Sequence, residues 1–183
     1  MKTAEEMYDF CVKNGYGKGF NRKNSLKHFE IIQNTLLPDE NVLCVFIGLH
    51  NYVSMSNHDN NFAYAITNKR IIMGQKKLIG EVSQIILLKN INDITFKSGL
   101  ATGIITIDTI KETFNVSIEK KSAKNVYDIV HKTFYELKNT PKRHLHQNKS
   151  DSFQQIKELK ELLDIGAITS DEFETKKKQL LGI

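Results

Sequence analysis

Seven short apolar segments, each closed by a turn signal and followed at once by one amphipathic helix, leave few architectures open to this chain. From Asn41 the segments NVLCVFIGL, NFAYAIT, KRIIM, VSQIILL, DITFK, GIITI and TFNVSI are rich in β-branched and aromatic residues. Asn, Gly, Ser or Asp separates them, so they read as strands of an antiparallel meander. The strand passage ends at Ser122, read as the N-cap of a helix in which Ala123, Val126, Tyr127, Val130, Phe134 and Leu137 share one face. That helix is expected to cover the sheet.

A second pattern occupies the end of the chain. In IKELKELLDIGAITSDEFETKKKQLLGI, Ile156, Leu159, Leu162 and Leu163 recur at the spacing of one helical stripe, with Lys157, Glu158, Lys160 and Glu161 between them. Gly166 supplies the left-handed residue that ends such a helix. Thr169 and Glu172 then form a capping box for the next helix, and Ile168 and Phe173 are placed as a hydrophobic staple. The turn is thus specified by Gly166, Thr169 and Glu172. Two helices this short cannot bury their own apolar faces, so Leu159, Leu163, Ile168, Phe173 and Leu180 are the candidate interaction residues.

The remaining segments are simpler. Residues 3–14 and 24–37 read as two helices; Ser25 is placed to cap the second, Leu26, Phe29, Ile32, Leu36 and Leu37 form its apolar side, and Pro38 stops it. Residues 139–151, NTPKRHLHQNKSD, have the composition of a linker. The expected division is residues 1–37 as an N-terminal helical segment, 38–138 as the strand domain, 139–151 as linker and 152–183 as the helical hairpin.

Seven strands and a closing helix are the order of a pleckstrin-homology (PH) fold. Thr67, Asn68, Lys69, Arg70, Ile71 and Ile72, followed by Ile91, the Gly99 turn and Gly103, resemble the bacterial PH domains of the YokE-like type over residues 38–138. The tail, through Leu159, Leu162, Leu163, Gly166, Ile168, Thr169, Glu172, Phe173, Lys176, Lys178, Leu180 and Leu181, resembles the short C-terminal domain family, SHOCT. The resemblance implies a barrel of about seven antiparallel strands built as two bent, roughly orthogonal sheets and capped by one helix, then the hairpin; with the N-terminal helices, which have no counterpart in it, the expected fold is α+β. For the tail it implies oligomerisation or partner docking and no chemistry.

Composition narrows the function further. An apolar share of 40% over 183 residues supports a packed core, and two cysteines, Cys11 and Cys44, fit neither a disulfide framework nor a zinc or redox motif. MKTAEEMYDF has acidic residues where a signal peptide needs an apolar stretch, and no apolar run approaches membrane-spanning length, so a cytoplasmic protein is expected. The net charge of +5 divides into +2 for residues 1–38, +2 for 39–138, +2 for 139–151 and −1 for 152–183. No segment carries the concentrated basic face of a nucleic-acid binder.

Each possible chemistry has a plainer explanation. His144 and His146 lack the third and fourth ligands of a metal site, and Lys142 and Arg143 beside them supply at most an auxiliary anionic contact, about 1 kcal/mol per cation at an acidic bilayer. Lys69, Arg70, Lys76 and Lys77 read as solvated turn charges. The first strand-strand loop, HNYVSMSNHDNN, holds no Lys or Arg, and His50 and His58 are mostly neutral at pH 7, so a phosphoinositide site there lacks its donors. Asp93 and Asp108 read as strand-end or turn residues, and no nucleophile elbow, P-loop, dinucleotide fingerprint or zincin motif occurs. Neither catalytic residue nor cofactor nor metal is expected. The reading is a non-enzymatic binding and assembly protein, joining itself or another protein through residues 152–183. A membrane-surface adaptor touching anionic lipid weakly is the alternative, and a phage or prophage nucleic-acid-associated regulator ranks last.

Overall fold

The computed structural model describes the backbone of residues 1–17, 21–139 and 149–181, and side chains over 1–17, 21–136 and 155–180. The chain forms two compact units, Met1–Asn139 and Thr140–Ile183.

In the first unit, helices α1 (Ala4–Asn14) and α2 (Arg22–Thr35) precede strands β1 (Val42–His50), β2 (Asn61–Thr67), β3 (Arg70–Lys76), β4 (Glu81–Leu87), β5 (Ile91–Ser98), β6 (Thr102–Thr109) and β7 (Thr113–Glu119). All seven expected strands are present. They pair antiparallel into one curled sheet, a half-barrel in the order β4-β3-β2-β1-β7-β6-β5. The two sheets implied by the resemblance are joined at a narrow seam, where β1 and β7 share only the pairs Leu49 with Ser117 and His50 with Val116. Helix α3 (Lys120–Asn139) follows β7 and packs on β5, β6 and β7, with Ala123, Val126, Val130 and Phe134 of its expected apolar face buried and Tyr127 half-buried, while the Leu137 side chain lies outside the described residues.

Strands β1 to β3 are buried on both faces. The row Val45, Ala65, Ile72 lies beside the row Ile47, Ala63, Gly74, and both alternate with Phe46, Tyr64 and Met73 on the opposite face. Every one of these residues is buried. Phe46 stacks on Tyr64 at 4.7 Å inside the curl, while α1 and α2 cover the outside. A side chain at Gly74 would come within 2.8 Å of the His28 carbonyl and 3.1 Å of Ile31, so the bare backbone of β3 is what lets α2 lie this close. Strands β4 and β6 instead alternate in burial, as strands with one covered face do.

Two helix starts differ from the sequence reading. Asn21, not Ser25, caps α2: its side chain accepts the Lys23 N–H at 2.9 Å, and Ser25 lies buried within the helix, donating to the Asn21 carbonyl at 3.0 Å. Ser122 is likewise no cap, because α3 begins at Lys120 directly after β7; its hydroxyl donates to the Gly15 carbonyl at 2.8 Å. Both hydroxyls serve contacts that a local pattern does not reveal. Helix α1 starts as expected, on a Thr3 and Glu6 capping box. No helix among the described residues is long and apolar enough to cross a membrane.

Candidate functional site

The hairpin of the second unit consists of α4 (Lys149–Asp164) and α5 (Ser170–Leu181). Its turn is built as the residues require. Gly166 sits at φ +73°, the Ala167 N–H donates to the Leu162 carbonyl at 2.9 Å and the Gly166 N–H to the Leu163 carbonyl at 3.0 Å. This crossed pair is a Schellman motif. The Glu172 N–H donates to Thr169 Oγ1 at 3.3 Å, while Glu172 Oε2 accepts from the Thr169 N–H at 2.9 Å, completing the capping box. The Thr169 N–H and then the Thr169 hydroxyl, each donating to Glu172 Oε2 at 2.9 Å, hold the Glu172 carboxyl below its ordinary value.

A well-specified turn joins two helices that bury almost nothing. Leu159, Leu163, Ile168, Phe173 and Leu180 are each half-buried, Leu162 is 41% exposed and Ile165 is 76% exposed. No described side chain of this unit is buried. The expected linker falls mainly on residues 140–148, including Lys142, Arg143, His144 and His146, which lie outside the described residues; Asn139 closes α3 and Lys149 opens α4. Among the described residues no three His, Cys, Asp or Glu side chains gather as a metal site would need.

The β2–β3 turn corrects the sequence reading. Arg70 is not a solvated turn charge: its side chain is 11% exposed and meets Glu40, whose side chain is 0% exposed. Arg70 Nε donates to Glu40 Oε1 and Nη2 to Glu40 Oε2, both at 2.8 Å, and Nη2 also reaches the Thr35 carbonyl at 2.9 Å. Thr67 Oγ1 donates to Glu40 Oε1 at 2.7 Å, and the Leu37 N–H donates to Glu40 Oε2 at 3.1 Å. Burial alone would raise the Glu40 carboxyl, but the bonds from Arg70, Thr67 and Leu37 outweigh it and hold it at about 2. Lys69 pairs with Asp39 at 2.5 Å, and Lys76 with Glu81 at 3.1 Å. Three of the four basic turn residues are therefore engaged within the chain. The sequence signal was the acidic pair Asp39 and Glu40 before the first strand, matched in number to Lys69 and Arg70 at the turn between the second and third.

Around the first hairpin loop, His50 is not a loop residue. It ends β1, buried among Phe62, Phe114 and Tyr64, with Nδ1 at 2.8 Å from the Tyr64 hydroxyl, and burial lowers its pKa. Tyr52 is half-buried, whereas Val53 is 73% and Met55 71% exposed. Asp93 and Asp108 face each other across β5 and β6; Asp108 accepts from Thr113 and from Asn92 at 3.0 Å. Its oxygens thus serve strand-end contacts.

Comparison with known proteins agrees with this architecture. The bacterial PH domain matches residues 36–132, and the short C-terminal domain, SHOCT, matches residues 154–181. Among solved structures, the chain is similar to the Vps36 N-terminal PH domain at 14% identity, covering 56% of this chain and 84% of that one with a TM-score of 0.45. It is also similar to the C-terminal domain of an unknown protein from Leishmania infantum, at 14% identity, 60% and 93% coverage and a TM-score of 0.42. A third is the N-terminal PH domain of the human ARAP2 protein, at 13% identity, 57% and 90% coverage and a TM-score of 0.40. No curated protein matches the chain.

Arg70→Met leaves the Glu40 charge buried without its partner and is expected to cost about 3–5 kcal/mol in urea unfolding. Because the folded Glu40 carboxyl lies below its ordinary 4.5, at about 2, its stabilisation is complete above pH 4.5 and is lost as pH falls through that window. Glu40→Gln should flatten the acid limb of a stability-against-pH curve. An unchanged limb would show that other carboxylates govern it.

Proposed function

Since the chain belongs to the bacterial PH domain family through residues 36–132, with a SHOCT match behind it, we propose that it is a non-enzymatic adaptor whose tail docks on another copy or on a second protein. The binding-module architecture is shared with domains that are typically non-catalytic. What carries the reading is the contrast within the hairpin. Its turn is fixed by a Schellman motif and a capping box, yet Leu159, Leu163, Phe173 and Leu180 remain half-buried with no buried side chain in the described unit. Short helices gain most of their stability from packing, so such a face fits an external partner surface. Removing residues 150–183 is expected to lower the mass seen by light scattering and to leave the melting of the first unit unchanged. A full-length chain that is monomeric at high concentration and retains no partner in pull-down would overturn the proposal.

The PH-like domain fits a protein ligand better than a phosphoinositide. Residues 42–67, which span the first hairpin, hold neither Lys nor Arg, and Lys69 and Arg70 are committed to Asp39 and Glu40. A multiply phosphorylated ring needs several convergent charge-assisted donors. The exposed Val53 and Met55 and the free edges of β4 and β5 suit protein contact instead. Vesicles carrying phosphoinositide should bind the chain no better than phosphatidylglycerol vesicles of equal charge. A stereospecific preference lost on Lys69→Ala or Arg70→Ala would contradict this assignment.

A further inference from the structure

Two cavities lie against the start of α2, the outer facing the far end of β3 and the inner facing β1 and the start of β2, and both have Asn24 and His28 in their walls. The outer one, about 300 Å³, is also lined by Lys27, Lys76 and Lys77. The inner one, about 100 Å³, has Asn61 in its lining. The outer one by itself reaches the lower end of the size range of small-molecule sites.

The two cavities make opposite demands on a ligand. Glu81 takes Lys76, so Lys27 and Lys77 are the outer cations that no carboxylate pairs with among the described residues. His28 Nδ1 accepts the Lys76 N–H at 2.7 Å, which puts the proton of the neutral ring on Nε2 and makes it a donor. Burial lowers the His28 pKa and so favours that neutral ring at pH 7. Two ammonium groups and an imidazole N–H, coming from α2 and from the β3–β4 turn, suit the three terminal oxygens of a phosphate better than the two coplanar oxygens of a carboxylate. Asn61 is in the lining of the inner cavity, and its side-chain oxygen is buried with no hydrogen-bond partner among the described residues. Such orphans are rare in folded proteins. A hydroxyl group, both donor and acceptor, would satisfy that amide whichever way it is turned.

We infer that this cleft binds a small phosphate ester carrying a free hydroxyl group, with the phosphate against Lys27, Lys77 and His28 and the hydroxyl against Asn61. Asn24, Lys27 and His28 precede residue 36, where the PH match begins, so the site is built by this chain's own N-terminal helix against the end of β3. Free glycerol phosphate, a monoester, presents three terminal oxygens to these donors; the headgroup of a phosphoglycerol lipid, a diester, presents two, together with the same free hydroxyls. Leu78, in the lining of the outer cavity, is 101% exposed and Ile79 beside it 89%, two aliphatic side chains that a lipid source would use.

Calorimetric titration of the full chain with glycerol 3-phosphate, ethyl phosphate and inorganic phosphate tests the site. Sedimentation with phosphatidylcholine vesicles containing phosphatidylglycerol or, at equal charge, phosphatidylmethanol tests the source. The hydroxyl-bearing member should bind at least tenfold more tightly in one arm or both. Lys27→Gln with Lys77→Gln should remove at least tenfold of that affinity with the melting temperature kept, and Asn61→Ala should bring glycerol phosphate down to ethyl phosphate. Preference in the soluble arm alone identifies a free ligand; preference in the vesicles identifies the headgroup. No binding in either arm, equal affinity with and without the hydroxyl, or indifference to the two lysine substitutions would each overturn the inference.

Discussion

The buried carboxylate of Glu40 is where the first unit is tied together. It takes hydrogen bonds from Arg70 at the start of β3, from Thr67 at the end of β2 and from the Leu37 N–H beyond α2, while Arg70 also caps the Thr35 carbonyl at the helix end. Lys2, at the foot of α1, donates to the carbonyls of Leu37, Pro38 and Glu40. A buried carboxylate is tolerable only when its oxygens are saturated in this way. The consequence is geometric: the exit of α2, the entry to β1 and the β2–β3 turn are fixed relative to one another, and the helices stay on the outer face of the sheet.

That placement accounts for the two strand patterns in the sequence. CVFI, FAYAI and IIM read as continuous apolar runs because one face meets the inside of the curl and the other meets α1 and α2. GIITI and its neighbours alternate because one face meets solvent. The small residues Ala63, Ala65 and Gly74 lie where a helix must come close. A reading that stops at strand identity treats residues 1–37 as an appendage, whereas the unbroken apolar runs of the first three strands already call for a second cover.

Local signals proved readable and long-range ones did not. The strands, the apolar face of α3, the left-handed Gly166 and the Thr169 and Glu172 box all rest on residues within four positions of each other. Ser25 and Ser122 look like caps in sequence, but the first bonds back to Asn21 and the second reaches Gly15 across more than a hundred residues. Arg70 read as a turn charge because its partner stands 30 positions away. The cleft at His28 was invisible for the same reason: its walls come from α2, from the β3–β4 turn and from the start of β2.

The picture is of a sheet domain whose N-terminal helices are structural members, followed by a small hairpin with an incompletely covered apolar face. Native-state hydrogen exchange tests the first half of it most directly. If the Glu40 contacts make the helices part of one cooperative unit, the amides of Phe29 to Ile32 in α2 and of Ile71 to Met73 in β3 will open with the same free energy and the same denaturant dependence. Helix amides that exchange by a separate, lower-energy opening while the β3 amides stay protected would contradict it.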